Sequence, residues 1–207
     1  MSSNVIHIES RLDAQPSEAK IGPNSVLQTL EALRELEGDR QVQRMLARTG
    51  LPTPIPESMI PERWFLDLIA ELRRDLPRHR VDAILSRSGS KTAAYVSTHR
   101  IPTAVRFLLR VLPTRIGLPM LLEAIRLHAW TFAGAGDVRI VERYPHVIEV
   151  HRCPTCRYGS ASTPSGGYYA AAFEGLLRMV SAKIRVRERE CVALGSSCCR
   201  FVIRLDP

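Results

Sequence analysis

The first two thirds of the chain carry apolar residues at helix spacing. Between Val26 and Leu36, an apolar residue recurs every three or four positions, which is the period of an amphipathic helix. The stretch 51–61 holds four prolines and predicts an extended connector. Similar apolar patterns, punctuated by Gly or Pro, predict further helices over 39–50, 62–76, 81–89, 90–100, 102–113 and 118–130.

The period of the pattern changes after about residue 137. Apolar and polar residues alternate over 138–144 and 146–152, which predicts a hairpin. The same alternation predicts two more strands over 183–191 and 198–205. Helical spacing returns only over 168–182, between the two pairs of strands.

This order of elements predicts an α+β fold. A helical N-terminal part is followed by an antiparallel four-stranded sheet packed with helices. Residues 1–20 lack apolar periodicity and are predicted to be a flexible tail, whereas 21–207 are predicted to form a single domain. A hydrophobic content of 45% is enough for a packed core.

The composition excludes several classes of protein. No uninterrupted apolar run approaches eighteen residues and no signal peptide is recognisable, so we expect a cytoplasmic protein without a transmembrane segment. The net charge is +8, and only three of the 29 basic residues are lysine. Arginine favours carboxylate and phosphate partners. The densest basic cluster, 73–80, has no interleaved aromatic residues, so nucleic-acid binding is not predicted.

Five cysteines are the strongest chemical signal in the sequence. The motif C-P-T-C occupies 153–156, and Cys191, Cys198 and Cys199 follow near the C-terminus. Two pairs of thiols on facing turns are a common arrangement of zinc sites. Glu188 is a further candidate ligand if a bulge or strand end turns it to the same side as Cys191. The alternative is that Cys191 and one of the final pair are small buried residues beside a turn.

Several segments resemble the bacteriochlorophyll 4-vinyl reductase family of photosynthetic bacteria. They are IGPNSVLQTLEAL, MIPE, RIP at 100–102, LLEAIRLHAWTFAGAG, and YYAAAFEGLLRMVS followed by CVALGSSCCRF, in the order of the family. The resemblance runs from about residue 20 to the end. It implies a 4-vinyl reductase domain core at about 130–207, with an α+β fold that often dimerises.

The resemblance also implies a ligand set for zinc. Phenol-sensing relatives hold zinc with three cysteines and a glutamate, and Glu188, Cys191 and Cys199 match their Glu-x-x-Cys-x7-Cys pattern. Those relatives carry their remaining cysteine just before the aromatic pair, where this chain has Gly166-Gly167. Cys156, or alternatively Cys153, would have to substitute for it from the preceding loop.

The family name implies reduction of a vinyl group, yet no motif for a redox cofactor is visible. The GAG at 134–136 follows a helix and lacks the rest of a dinucleotide fingerprint, no flavin site is seen, and no cysteine pattern fits an iron–sulfur cluster. We therefore predict an accessory or carrier protein that binds a tetrapyrrole of the divinyl protochlorophyllide or chlorophyllide type. A true vinyl reductase using an external reductant is one alternative, and a small-molecule sensor or scaffold is another.

A magnesium tetrapyrrole needs an axial ligand, apolar walls and a cation for its carboxylate. His128 is the first candidate for the axial ligand, with Trp130 and Phe132 as walls. The alternative reading is a partly buried histidine bonded to a backbone carbonyl.

His99 is the second candidate ligand, beside Arg100 as the cation and Tyr95 as a wall. The expected partners are the tetrapyrrole, other enzymes of bacteriochlorophyll synthesis and a second copy of the chain. The expected location is the cytoplasm or the periphery of the photosynthetic membrane.

Overall fold

The computed structural model describes residues 19–141, 145–156 and 165–206. Within these ranges lie seven α-helices, a short strand pair and a four-stranded antiparallel sheet. The helices are α1 Asn24–Glu37, α2 Asp39–Thr49, α3 Glu62–Asp75, α4 Arg78–His99, α5 Thr103–Val111, α6 Thr114–Leu127 and α7 Gly167–Leu177. The strands are β1 Lys20–Ile21, β2 Ile60–Pro61, β3 Asp137–Val141, β4 Val147–His151, β5 Ile184–Glu190 and β6 Cys198–Leu205. The predicted α+β class is confirmed.

The main sheet has the strand order β3-β4-β6-β5, and all its neighbours are antiparallel. The predicted hairpin of β3 and β4 is confirmed, and residues 142–144, which were predicted to belong to its first strand, lie outside the described residues. Alternate residues of β4 and β6, such as Ile148, Val150 and Phe201, are fully buried in the core. Because side chains alternate along a strand, the residues between them lie on the outer face of the sheet.

The N-terminal boundary differs from the prediction of a tail over 1–20. Residues 1–18 lie outside the described ranges, but Lys20 already pairs with Pro61, and Ile21 with Ile60. This two-residue strand pair was not predicted, because two residues are too few to show an alternating pattern. The backbone N–H of Gly22 then donates to the carbonyl of Thr131, 2.7 Å away. The start of the domain is thereby fixed to the turn that follows α6.

One prediction about the helices was wrong. The helices predicted separately over 81–89 and 90–100 form the single helix α4, which runs through Gly89. Glycine commonly ends helices, but Gly89 lies in the helix interior and is buried. The reason for a glycine here is tertiary contact rather than a helix end.

Small residues let α4 and α7 approach each other closely. A Cβ added at Gly89 would lie 2.1 Å from the carbonyl oxygen of Tyr168 and 3.1 Å from the Cβ of Ala171. One turn further along, a Cβ at Gly175 would lie 2.6 Å from the Cβ of Ala93. Small residues spaced four apart on both helices permit this kind of backbone contact. No larger side chain fits at Gly89 or Gly175 without moving one helix.

We expect Gly89→Ala to lower the free energy of unfolding by about 3 kcal/mol, because the added methyl group must push α7 away from α4. Urea denaturation followed by circular dichroism measures the change. The control is Ser86→Ala, an exposed position on the same helix, which should stay within about 0.5 kcal/mol of the parent protein. A loss below about 1 kcal/mol for Gly89→Ala would contradict the close helix contact.

Candidate functional site

Four of the five predicted metal ligands converge at one end of the main sheet. Cys199 lies at the start of β6, Cys191 directly follows β5, and Cys156 lies in the turn after β4. Their sulfur atoms and a carboxylate oxygen of Glu188 all lie within 4.8 Å of one another. The pairing of β5 with β6 is irregular between Glu188 and Glu190. This irregularity supplies the bulge that allows Glu188 and Cys191 to face the same cluster.

The distances in this cluster suit a tetrahedral metal ion. The sulfur of Cys156 lies 3.5 Å from that of Cys191, and the sulfur of Cys199 lies 4.0 Å from that of Cys191. Two thiolates bound to one zinc ion at about 2.3 Å in tetrahedral geometry are separated by about 3.8 Å. The cluster therefore has both the donor types and the spacing of a closed zinc site.

Backbone N–H groups orient these side chains. The N–H of Ser165 donates to the sulfur of Cys191, and the N–H of Val192 donates to the sulfur of Cys199, both at 3.4 Å. The N–H of Gly166 donates to Oε2 of Glu188 at 2.7 Å. The other carboxylate oxygen, Oε1, is buried, and it accepts no hydrogen bond from the residues that the structure describes. A buried carboxylate oxygen without a donor is the position at which a cation is expected.

Burial and mutual hydrogen bonds shift the pKa values of the carboxyl and thiol groups in this cluster. Burial raises the pKa of the Glu188 carboxyl above its ordinary value. Hydrogen bonds from Cys153, Cys191 and Cys199 hold the pKa of the Cys156 thiol well below its usual range. The hydrogen bond that Cys191 donates to Cys156 raises the pKa of Cys191 to about 11. A divalent cation bound here would favour loss of the protons that these thiols hold.

Cys153 is not among the four donors whose atoms all lie within 4.8 Å of one another. It is fully buried, and burial raises the pKa of its thiol well above the ordinary value. The hydroxyl of Thr155 lies 3.4 Å from the sulfur of Cys153 and 3.5 Å from that of Cys156. Arg73 of α3 donates to the carbonyl of Thr155 at 2.6 Å and fixes this turn against the helices. The geometry therefore favours Cys156 as a ligand and Cys153 as its support.

Gly166 lies directly against the carboxylate of Glu188. A Cβ at Gly166 would lie 2.6 Å from Oε1 of Glu188. A side chain at this position would displace the carboxylate from the cluster. The sequence shows two glycines before the aromatic pair, but only the structure shows that Gly166 lies against Glu188.

A second group of polar side chains lies on the outer face of the sheet and was not predicted as a unit. Glu149, His151 and Cys198 have potential donor atoms within 4.8 Å of one another. Arg200 donates to Glu149 at 2.9 Å and also pairs with Glu190. Cys198 and Cys199 point to opposite faces because they are adjacent in a strand. Arg200 pairs with Glu149 and Glu190, and Nε2 of His151 lies 3.4 Å from Oε2 of Glu149.

His128 directly follows α6, and its ring is oriented by the backbone. Its Nδ1 lies 2.8 Å from the carbonyl oxygen of Ala124, so Nδ1 carries the proton and donates it. Nε2 is then left with its lone pair, and the residue is exposed. Trp130 is 62% exposed nearby in sequence. Phe132 instead packs towards the core, with its ring centre 6.0 Å from that of Phe173.

The second predicted group lies at the end of α4. The ring of Tyr95 stacks on His99, with centres 4.5 Å apart. Nδ1 of His99 lies 3.1 Å from the carbonyl oxygen of Tyr95, which again leaves Nε2 with its lone pair. Arg100 directly follows and is exposed.

A groove of about 320 Å³ lies elsewhere, at the edge of the sheet. None of the residues predicted to bind a pigment lines it. Its walls are Leu118, Pro145, His146, Ile203, Arg204 and Leu205.

Comparisons with known proteins agree with the family resemblance. The family model of the 4-vinyl reductase domain matches residues 146–205. The bacteriochlorophyll synthase 23 kDa chain of Cereibacter sphaeroides is 38% identical over 196 residues, covering 93% of this chain and 95% of the relative. The protein of the same name from Rhodobacter capsulatus is 34% identical over 191 residues, covering 91% of this chain and 89% of that relative.

Solved structures share the fold at low sequence identity. An H-NOX mutant carrying 4-cyano-L-phenylalanine at site 5 has a TM-score of 0.59 and 16% identity, covering 90% of this chain and 97% of its own. An H-NOX protein from S. oneidensis in the Fe(II)NO ligation state has a TM-score of 0.53 and 12% identity, and the match covers 90% of this chain and 100% of that protein. These similarities support the α+β architecture alone, whereas the sequence relatives match nearly from end to end. The chain belongs to the family of the bacteriochlorophyll synthase 23 kDa chain and carries that family's 4-vinyl reductase domain.

Proposed function

We propose that this protein acts in bacteriochlorophyll synthesis by binding a magnesium tetrapyrrole intermediate and presenting it to another enzyme of the pathway. The names of the two relatives support the pathway, because each relative matches about nine tenths of the chain. The orientation of His128 carries the proposal of pigment binding. Its Nε2 lone pair is directed away from the backbone contact. Because the residue is exposed, this nitrogen can serve as an axial ligand of a tetrapyrrole metal ion.

The surroundings of His128 support this role. Leu127 and Trp130 are 57% and 62% exposed on either side of it, so an apolar ring can rest on them. His128 also caps the C-terminus of α6, where the partial negative charge of the helix favours a cation. His99 has the same Nδ1 orientation and remains the alternative ligand, with Arg100 beside it for a carboxylate.

We further propose that zinc occupies the cluster of Cys156, Glu188, Cys191 and Cys199. The unpartnered Oε1 of Glu188 and the sulfur spacing support this ion. Four protein ligands leave no open position, which is typical of a structural rather than a catalytic zinc site. The role of zinc is then to join β5, β6 and the C-P-T-C turn.

Pigment binding is tested by absorption titration of the pure protein with divinyl protochlorophyllide, in detergent below its micelle concentration and without reductant. We expect a saturable red shift, and a loss of affinity of about tenfold or more in His128→Ala, because one axial bond is removed. His79→Ala is the matched control, since His79 is also exposed but lies at the start of α4.

The same titration separates the two candidate ligands. A shift lost in His99→Ala but retained in His128→Ala would transfer the axial role to His99. Absence of any saturable shift in the parent protein would overturn pigment binding.

Zinc binding is tested by elemental analysis of protein purified without chelator. We expect about one zinc per chain in the parent protein, and clearly less in Cys199→Ser and Glu188→Gln, because each substitution removes one ligand. Cys198→Ser is the matched control, since its thiol is also buried but lies on the outer face of the sheet. Equal zinc loss in Cys198→Ser and Cys199→Ser, or a folded parent protein that takes up no zinc on dialysis, would contradict the proposal.

A further inference from the structure

Large apolar side chains are exposed on α5, on one side of α6 and in the turn that follows. We name this set the α5–α6 surface. Phe107 and Val111 are the most exposed members on α5, at 66% and 58%. The surface comprises Val105, Phe107, Leu108, Val111, Ile116, Met120, Leu127 and Trp130. Large apolar patches of this kind on a protein surface mark a site of interaction.

The helix α5 is amphipathic, yet most of its apolar side faces solvent. Phe107 and Val111 lie one turn apart, and Leu108 lies next to them on the helix surface. Leu109 is the one buried residue that α5 contributes to the core. Arg106 and Arg110 lie one turn apart and form a row along the edge of this apolar side, next to Phe107. The apolar side of α5 is therefore not explained by packing within the described chain.

The charge around this surface is mostly positive. The segment 100–130 contains five arginines, at positions 100, 106, 110, 115 and 126, and one acid, Glu123, which pairs with Arg126. Arg110 and Arg115 are exposed, and neither pairs with a carboxylate among the residues that the structure describes. An apolar helix face bordered by arginines is complementary to a surface that is apolar inside and anionic outside.

We propose that the α5–α6 surface docks on an anionic lipid bilayer, with α5 lying in the plane of the headgroups. The apolar residues of α5 enter the boundary of the acyl chains, and the arginines contact lipid phosphates. No helix in the described ranges is both long and apolar enough to cross a bilayer. The inference rests on α5 and its arginines, and not on Leu127 and Trp130, which are proposed above to contact the pigment.

A second copy of the chain fits this surface less well than lipid. A two-fold symmetric interface places the same patch of both copies face to face. Four arginines, at 100, 106, 110 and 115, would then oppose their copies, and Glu123, the one acid of this surface, already pairs with Arg126, which disfavours association. A bilayer rich in anionic lipid instead supplies the missing negative charge.

The test is co-sedimentation of the full chain with vesicles of phosphatidylcholine alone and of phosphatidylcholine mixed equally with phosphatidylglycerol, at two salt concentrations. We expect binding to the anionic vesicles that weakens with salt, since screening reduces the arginine contribution. Phe107→Ser with Val111→Ser should lower the partition coefficient at least about tenfold, because two apolar side chains no longer enter the bilayer. The matched control is Leu27→Ser with Leu36→Ser, two exposed leucines of α1.

A second comparison isolates the charge. Replacing Arg106, Arg110 and Arg115 by Gln should abolish the preference for anionic vesicles. Replacing the exposed Arg40, Arg63 and Arg187 by Gln removes the same net charge elsewhere and should preserve that preference. Equal losses in the two triple variants would show a general charge effect and overturn the assigned surface.

Sedimentation velocity without lipid separates the remaining outcomes. If Phe107→Ser with Val111→Ser converts a dimer into a monomer while vesicle binding is unchanged, the surface joins two copies and the lipid proposal is wrong. If the parent protein binds neither vesicle, the proposal is also wrong. Unchanged thermal unfolding of each variant ensures that a loss of binding does not reflect loss of the fold.

Discussion

The contact between α4 and α7 is the constraint on which the rest of the structure depends. Gly89 and Gly175 allow the two helices to meet at backbone distance. Because α7 begins at Gly167, the position of this contact also determines where Ser165 and Gly166 lie. Their N–H groups in turn orient Cys191 and Glu188. A contact in the helical part thus determines the geometry of a cluster in the sheet.

The cysteine cluster combines features that are unfavourable separately. It buries a carboxylate oxygen without a donor among the described residues, and it places several thiols within one hydrogen-bonded group. Burying such groups without partners costs free energy. A divalent cation would neutralise them together, so the cost of burying them would become a gain in binding free energy. The same cluster would then link the last two strands to the turn that Arg73 holds against α3.

The sequence predicted the elements better than their arrangement. Alternation located all four strands of the main sheet, because Val, Ile and Phe recur at every second position towards the core. Gly89 was misread as a helix end, since local rules for glycine cannot register the carbonyl of Tyr168 across the interface. The spacing of Glu188, Cys191 and Cys199 was visible, but the preference for Cys156 over Cys153 depends on the turn between them. The exposure of Phe107 was also hidden, because an apolar stripe looks the same whether it is buried or not.

The central position of β6 has a consequence for how the chain folds during synthesis. β6 leaves the ribosome after the other three strands of its sheet, and it lies between β4 and β5. Until it arrives, the hairpin of β3 and β4 has an open edge and β5 has no partner in the main sheet. Open strand edges are prone to pairing with other chains. The helices α1 to α6 are made earlier and can fold first. At that stage the chain is a helical body, and the eight residues of β6 are still needed to close the sheet.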